Sequence, residues 1–256
     1  MYKFKPKLND LQILQELKNS CYANNDVRAS WIAEYSMDTD VDEFKNYAKW
    51  SQQHWNMYKG FVNNIKIDNQ PMYILDAACG IGFNTKMLNE HIPNSILYGV
   101  DMSIDSITLA NKYNKDNNTT YILEDLITCS FDIKFDYIYF LEILEHMKAD
   151  QHYIIIDKLL NLLKDDGYLF ISTPNELDNP DALTEHIGLL NRERTKQFIN
   201  KYKNNIIQSQ FYDNLKLDTD DYIIDETIDT FEISSSGIGG VSNAPNKSHF
   251  KLTLKK

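Results

Sequence analysis

Two groups of residues in this chain have types and spacings that could do chemistry. The first lies in LEILEHM and comprises Glu142, Glu145 and His146. If a helix starts after Leu141, these three fall at i, i+3 and i+4 and share one face. Two carboxylates and an imidazole suit a hard divalent ion such as Mg²⁺ or Mn²⁺. His186, downstream in TEHIGLLNRERTKQF, offers a fourth donor. The alternative for the same residues is proton transfer, with His146 as the base. The second group lies in ILDAACGIGFNT, where a carboxylate, Asp76, precedes Gly80 and Gly82. A buried strand that ends in such a turn lets backbone approach a ligand closely. Thr85 stands where a third glycine would complete a dinucleotide-binding pattern, so a nicotinamide cofactor is disfavoured. Asp101 follows about twenty residues later, where an acidic side chain can accept both hydroxyls of a ribose. Asp125 closes the next apolar run.

The elements that must position these residues alternate. Strands are expected at 72–78 (MYILDAA), 95–101 (SILYGVD), 119–125 (TTYILED), 135–141 (FDYIYFL) and 167–173 (GYLFIST). Helices are expected between them, from Phe83 to His91 and through HYIIIDKLLNLLK. Strand and helix alternating at this interval imply a doubly wound, mostly parallel α/β sheet. A helix from Arg192 to Tyr202 and strands at NIIQSQFYD and HFKLTLKK complete the fold. Residues 1–69 read as an N-terminal helical cap, with Leu8, Leu11, Leu14 and Leu17 on one face and an aromatic helix through Trp50, His54 and Tyr58. Residues 70–256 read as one compact unit.

With these motifs in hand, the chain resembles the class I S-adenosylmethionine-dependent methyltransferases over about Met72 to Asn175. LDAACGIG resembles that family's glycine motif, with Ala78 and Cys79 where many members carry Gly-Cys. YGVDMS resembles the ribose motif, LEDLI the adenine motif, and FDYIYFLEILEHM and LLKDDGYLFISTPN the fourth- and fifth-strand motifs. The resemblance implies a Rossmann-like seven-stranded sheet whose last strand is inserted antiparallel. It implies that Gly80 and Gly82 approach the amino-acid end of S-adenosylmethionine with Asp76 just behind that turn, that Asp101 and Met102 serve its ribose side, and that Asp125 and Leu126 flank adenine. Leu141 joins that cofactor set. The Glu-x-x-Glu-His pattern with a later histidine is similar to the ubiquinone-biosynthesis O-methyltransferases, the nearest branch in motif pattern. It is also similar to the small-RNA 2′-O-methyltransferases. In both, a metal held by Glu142, Glu145, His146 and His186 would lower the pKa of the acceptor oxygen.

Composition narrows the partner. The chain has 256 residues, a net charge of −11 and 43% hydrophobic residues, an ordinary globular profile for one large domain. The acidic balance argues against a nucleic-acid backbone as partner, and so does the cluster Asp218, Asp220, Asp221, Asp225 and Glu226. The expected acceptor is a small polar or anionic metabolite methylated on oxygen, with RNA 2′-O-methylation as the runner-up and a non-catalytic binding module as the third reading. Three scattered cysteines give neither a disulfide framework nor a zinc site, and Cys79 reads as a packing residue. No apolar run reaches membrane length and the N-terminus lacks a signal core, so the expected location is cytoplasmic. The glycine-rich segment Gly237–Gly240 and the aromatic helix near Trp50 are the expected mobile covers.

Overall fold

The computed structural model describes Ile65, residues 70–92, 94–174, 187–190, 192–212, 225–226 and 249–256. The expected helical cap, except Ile65, and the covers at Trp50 and 237–240 lie outside the described residues. So does His186. The chain divides into two compact units, one holding 76–129 with the preceding residues through Met72, the other holding Tyr73–Leu75 and 130–256.

In the first unit the strands run in the order β3-β2-β1, where β1 is Met72–Ala77, β2 is Ser95–Asp101 and β3 is Thr119–Leu123. β2 and β3 pair in parallel, with Leu97 opposite Thr119 and Asp101 opposite Leu123. Between them lie α1 (Phe83–His91) and α2 (Ile104–Tyr113). Helix α2 starts where the sequence supplies a cap, since Ser103 Oγ accepts the Ser106 amide at 3.2 Å. Helix α1 starts on Gly82, which is left-handed at φ 80 and gives no side-chain cap. Strand β3 stops two residues short of the expected 125. Asp125 Oδ1 accepts the Ile127 amide at 2.8 Å, an Asx-type turn that competes with the strand ladder.

In the second unit the order is β1-β4-β5-β8-β6-β7, with the Tyr73–Leu75 part of β1 included. The strands are β4 (Phe135–Leu141), β5 (Leu163–Pro174), β6 (Ile206–Tyr212), the two-residue β7 (Asp225–Glu226) and β8 (His249–Lys255). β4 and β5 are parallel, while β8 is antiparallel to both β5 and β6. That is the inserted last strand the family resemblance implied. β7 adds an eighth strand that the sequence did not signal. β5 begins earlier than expected because Leu163 pairs with Phe135 before the register jumps to Tyr137 opposite Tyr168. The intervening Lys164–Gly167 forms a bulge, and Gly167 suits it because a Cβ there would meet Phe135 O at 3.0 Å. Helices α3 (His152–Leu162) and α4 (Arg192–Tyr202) pack through stacked Tyr153 and Phe198 rings, with centroids 6.1 Å apart. Among the described residues no helix is long and apolar enough to cross a membrane.

Candidate active site

The turn after β1 is built from backbone and held from beneath. Ala78, Gly80 and Gly82 all take positive φ, at 65, 54 and 80. The left-handed region is open to glycine and strained for alanine. The Cys79 amide donates to Val100 O at 3.0 Å, the Gly82 amide to Cys79 O at 3.0 Å and the Lys86 amide to Gly82 O at 2.9 Å. Two residues the sequence did not single out support this turn. Asn114 donates its side-chain amide to Ile81 O at 2.7 Å, and the Tyr121 hydroxyl donates to Asn114 O at 3.1 Å. A Cβ on Gly82 would run into the Tyr121 hydroxyl, and one on Gly99 would meet Tyr121 Cδ1 at 2.7 Å. Both glycines are therefore required by the tyrosine ring. Cys79 is buried with Ile107, Ala110 and Tyr121, the packing role expected of it.

The acidic residues around this turn divide by environment. Asp76 is buried, and its Oδ2 accepts the Thr85 hydroxyl at 2.5 Å. Burial raises its pKa to about 7, against the opposing pull of that hydroxyl and with a smaller push from Asp101. Thr85 thus does something specific where a third glycine would stand in the dinucleotide pattern. Asp101 accepts two amides, Gly80 at 2.9 Å on Oδ2 and Ser103 at 2.8 Å on Oδ1. These bonds fix the carboxylate plane. Met102 and Leu123 are exposed at 47% and 43%, apolar side chains that adjoin Asp101 in sequence and in register. Asp125 is exposed and Leu126 half-buried. An oriented carboxylate with apolar neighbours is the kind of surface that can take a ribose and a base.

The second group lies past β4, and its local structure corrects the expectation. No α-helix starts after Leu141, which is buried. Glu142 takes φ 57 and its amide donates to Ser172 O at 2.8 Å, so it still follows the strand ladder. A single 3₁₀ turn then covers Leu144–His146, and the shared helical face of Glu142, Glu145 and His146 does not form. Ser172 donates its hydroxyl to Glu142 Oε1 at 2.6 Å, and Thr173 donates to Glu145 Oε2 at 3.0 Å. Glu145 is buried, and burial first, then the Glu142 charge, push its carboxyl well above the usual range. His146 Nε2 lies 3.8 Å from Glu145 Oε1, with the imidazole 21% exposed. Among the described residues no three His, Cys, Asp or Glu side chains gather as a metal site. Glu142, Glu145 and His146 therefore do not gather as placed, and His186 lies outside the described residues. Ser172 and Thr173, at the end of an apolar run, were legible only as strand residues.

Comparison with known proteins agrees with this architecture. A methyltransferase-domain family profile matches residues 50–212, more than half of the chain. The chain belongs to that family. Among curated relatives, a ubiquinone biosynthesis O-methyltransferase of Glaesserella parasuis is 38% identical over 112 residues, covering 40% of this chain and 45% of the relative. A malonyl-[acyl-carrier protein] O-methyltransferase of Priestia megaterium is 27% identical, covering 51% and 49%. The chain thus spans about half the length of these relatives. Of solved structures, the plantazolicin methyltransferase BpumL in complex with SAH superposes with a TM-score of 0.61 at 16% identity, covering 97% of each chain. A SAM-dependent methyltransferase from Archaeoglobus fulgidus gives 0.56 at 17% identity, covering 81% of this chain and 94% of that one. The Rossmann-like, doubly wound α/β fold expected from the sequence is the fold these structures share.

Proposed function

We propose that the chain is an S-adenosylmethionine-dependent methyltransferase acting on an oxygen of a small polar or anionic metabolite. The observation that carries the reading is Asp101, oriented by the Gly80 and Ser103 amides at the mouth of a left-handed glycine turn. Asp101 would accept the ribose hydroxyls, and the turn at Gly80 and Gly82 would face the amino-acid end. Met102 and Leu123 would offer apolar surface to the purine, with Asp125 and Leu126 at its edge. When bound, S-adenosylmethionine supplies a methyl group on a sulfonium, ready for in-line displacement. His146 would take the acceptor's proton as a general base, and the buried Glu145 beside it would fix the imidazole. Glu142, held by Ser172, would flank the acceptor. Two of the relatives are named as O-methyltransferases, which supports oxygen as the receiving atom.

The test is methyl transfer from labelled S-adenosylmethionine to a panel of small phenols, carboxylic acids and amines, run with and without chelator. The expected product carries label on oxygen, and chelator leaves the rate unchanged. Label on nitrogen would overturn the acceptor assignment. Loss of transfer on chelation, restored by Mg²⁺ or Mn²⁺, would replace the base reading with metal activation through Glu142, Glu145, His146 and His186.

A further inference from the structure

Behind the turn that carries Glu145 and His146 lies a knot of polar contacts outside the sequence motifs. Its centre is His152, the first residue of α3, which is buried. Its Nε2 is 2.8 Å from Leu144 O and 3.3 Å from Met147 O. Both neighbours are carbonyl oxygens, which only accept, so Nε2 carries the proton and donates to the pair. Leu144 O also accepts the Met147 amide at 3.1 Å, and Ile143 O accepts the His146 amide at 3.0 Å. Leu144 O therefore has both acceptor sites filled. The chain returns at Gly188, whose amide donates to Glu145 O at 2.9 Å. Gly188 approaches so closely that a Cβ there would collide with Met147 O and meet Leu144 O at 2.5 Å and His152 Nε2 at 2.7 Å. Three carbonyls of a turn only one 3₁₀ unit long and of the residue that follows it are thus tied from outside: those of Leu144, Glu145 and Met147.

A lone 3₁₀ turn has poor hydrogen-bond geometry and little stability of its own. Without outside ties its carbonyls would exchange partners with water, and the side chains it carries would lose their fixed direction. We propose that His152 and Gly188 are positioning residues, a clamp that sets the direction of Glu145 and His146 for acceptor chemistry without touching acceptor or cofactor. The inference rests on the reading that Glu145 and His146 serve the acceptor. It assigns a role to two residues outside the motif. Burial holds the His152 imidazole below its ordinary pKa, in keeping with a neutral ring that donates from Nε2.

The experiment compares the full chain with His152→Leu, which removes the donor, and His152→Gln, whose amide can donate from a similar reach. Gly188→Ala is the second, independent lesion. Amide exchange resolved by residue should show Met147 and the amide at position 188 losing protection at least about tenfold in His152→Leu and Gly188→Ala, while the Glu142 amide keeps its own. His152→Gln should restore both. Methyl transfer to the same acceptor panel, per folded molecule, should fall about tenfold to a hundredfold in the two lesions and recover in His152→Gln, with S-adenosylmethionine affinity unchanged throughout. Unchanged protection of Met147 and Gly188 in folded His152→Leu would overturn the clamp. Lost protection with full transfer would overturn its positioning role while leaving the assignment of Glu145 and His146 intact. Full transfer in His146→Ala and Glu145→Gln would remove that assignment, and the clamp's purpose with it.

Discussion

Past the last residue of β1, Ala78 sits at φ 65; past the last residue of β4, Glu142 sits at φ 57. Both are left-handed residues with a side chain, and each turns the chain away from a strand at some cost in strain. What surrounds them differs. Around the first turn, amides reach a carboxylate, since Gly80 and Ser103 donate to Asp101, and the support comes from Asn114 and Tyr121 beneath. Around the second, hydroxyls reach carboxylates, since Ser172 and Thr173 donate to Glu142 and Glu145. The first turn is a backbone device to which side chains lend rigidity, and it suits a ligand recognised in the same way each time. The second is a side-chain device on a short turn, which suits chemistry on an acceptor that differs among relatives. The strain at Glu142 accompanies a carboxylate with a partner. The strain at Ala78 accompanies a methyl group with no chemistry to offer.

The comparison can be broken at several points. The largest effect should come from the second turn, where His146→Ala removes the proposed base and should slow methyl transfer by about 10²–10⁴-fold. Cofactor affinity should stay at its wild-type value; a loss of affinity matching the loss of rate would erase the division of labour. In the first turn, Gly82→Ala adds a Cβ against Tyr121 at a left-handed residue. It should lower unfolding free energy by about 2–5 kcal/mol, read by urea denaturation. Gly82→Ala with unchanged stability would show that the turn is softer than argued.

Asp76→Asn should act in a pH-dependent way. The folded-state pKa of about 7 lies above the ordinary value of 3.8. The wild-type carboxyl therefore contributes most below about pH 4, and that contribution is lost as pH rises through 7. Asparagine does not titrate, so the variant should gain on the wild type between pH 4 and pH 8 by an amount on the order of a few kcal/mol. Parallel stability curves over that range would show that Asp76 ionises freely in the fold. The smallest effect should be Ala78→Gly. Relief of a left-handed alanine, about 1–2 kcal/mol, exceeds the extra flexibility of glycine in the unfolded chain, about 0.5–1 kcal/mol. The variant should be more stable by under about 1 kcal/mol in thermal unfolding; a destabilised variant would contradict the strain argument.

Much of this was legible from periodicity. The strands at 95–101 and 135–141 and the helices at 83–91 and 192–202 fall where they were expected, and 135–141 reads as a nearly continuous apolar run because both faces of a parallel strand are covered. The antiparallel last strand, by contrast, followed from family resemblance and not from the residues of HFKLTLKK. Local competition defeated the pattern in two places. Asp125 bonds its own chain two residues on, and Glu142 keeps a strand partner, so the helix that would have aligned Glu142, Glu145 and His146 never starts. The supports were invisible for a different reason. Tyr121 beneath Gly82, Thr173 on Glu145 and Gly188 on the Glu145 carbonyl join residues 39, 28 and 43 positions apart, and no pattern within a window of sequence encodes such meetings. Thr85 was noticed only as the absence of glycine, although its hydroxyl on Asp76 is the reason it is there.

The central claim is that Asp101 holds the ribose of S-adenosylmethionine. Calorimetric titration of the wild type and of Asp101→Ala with S-adenosylmethionine tests it most directly, with urea denaturation to establish that the variant is folded. Charge-assisted hydrogen bonds are worth about 1.5–3 kcal/mol each, so loss of even one should weaken binding by roughly 10- to 150-fold, and loss of both by more. Equal affinity in a folded Asp101→Ala protein, or no binding of S-adenosylmethionine to the wild type, would contradict the account.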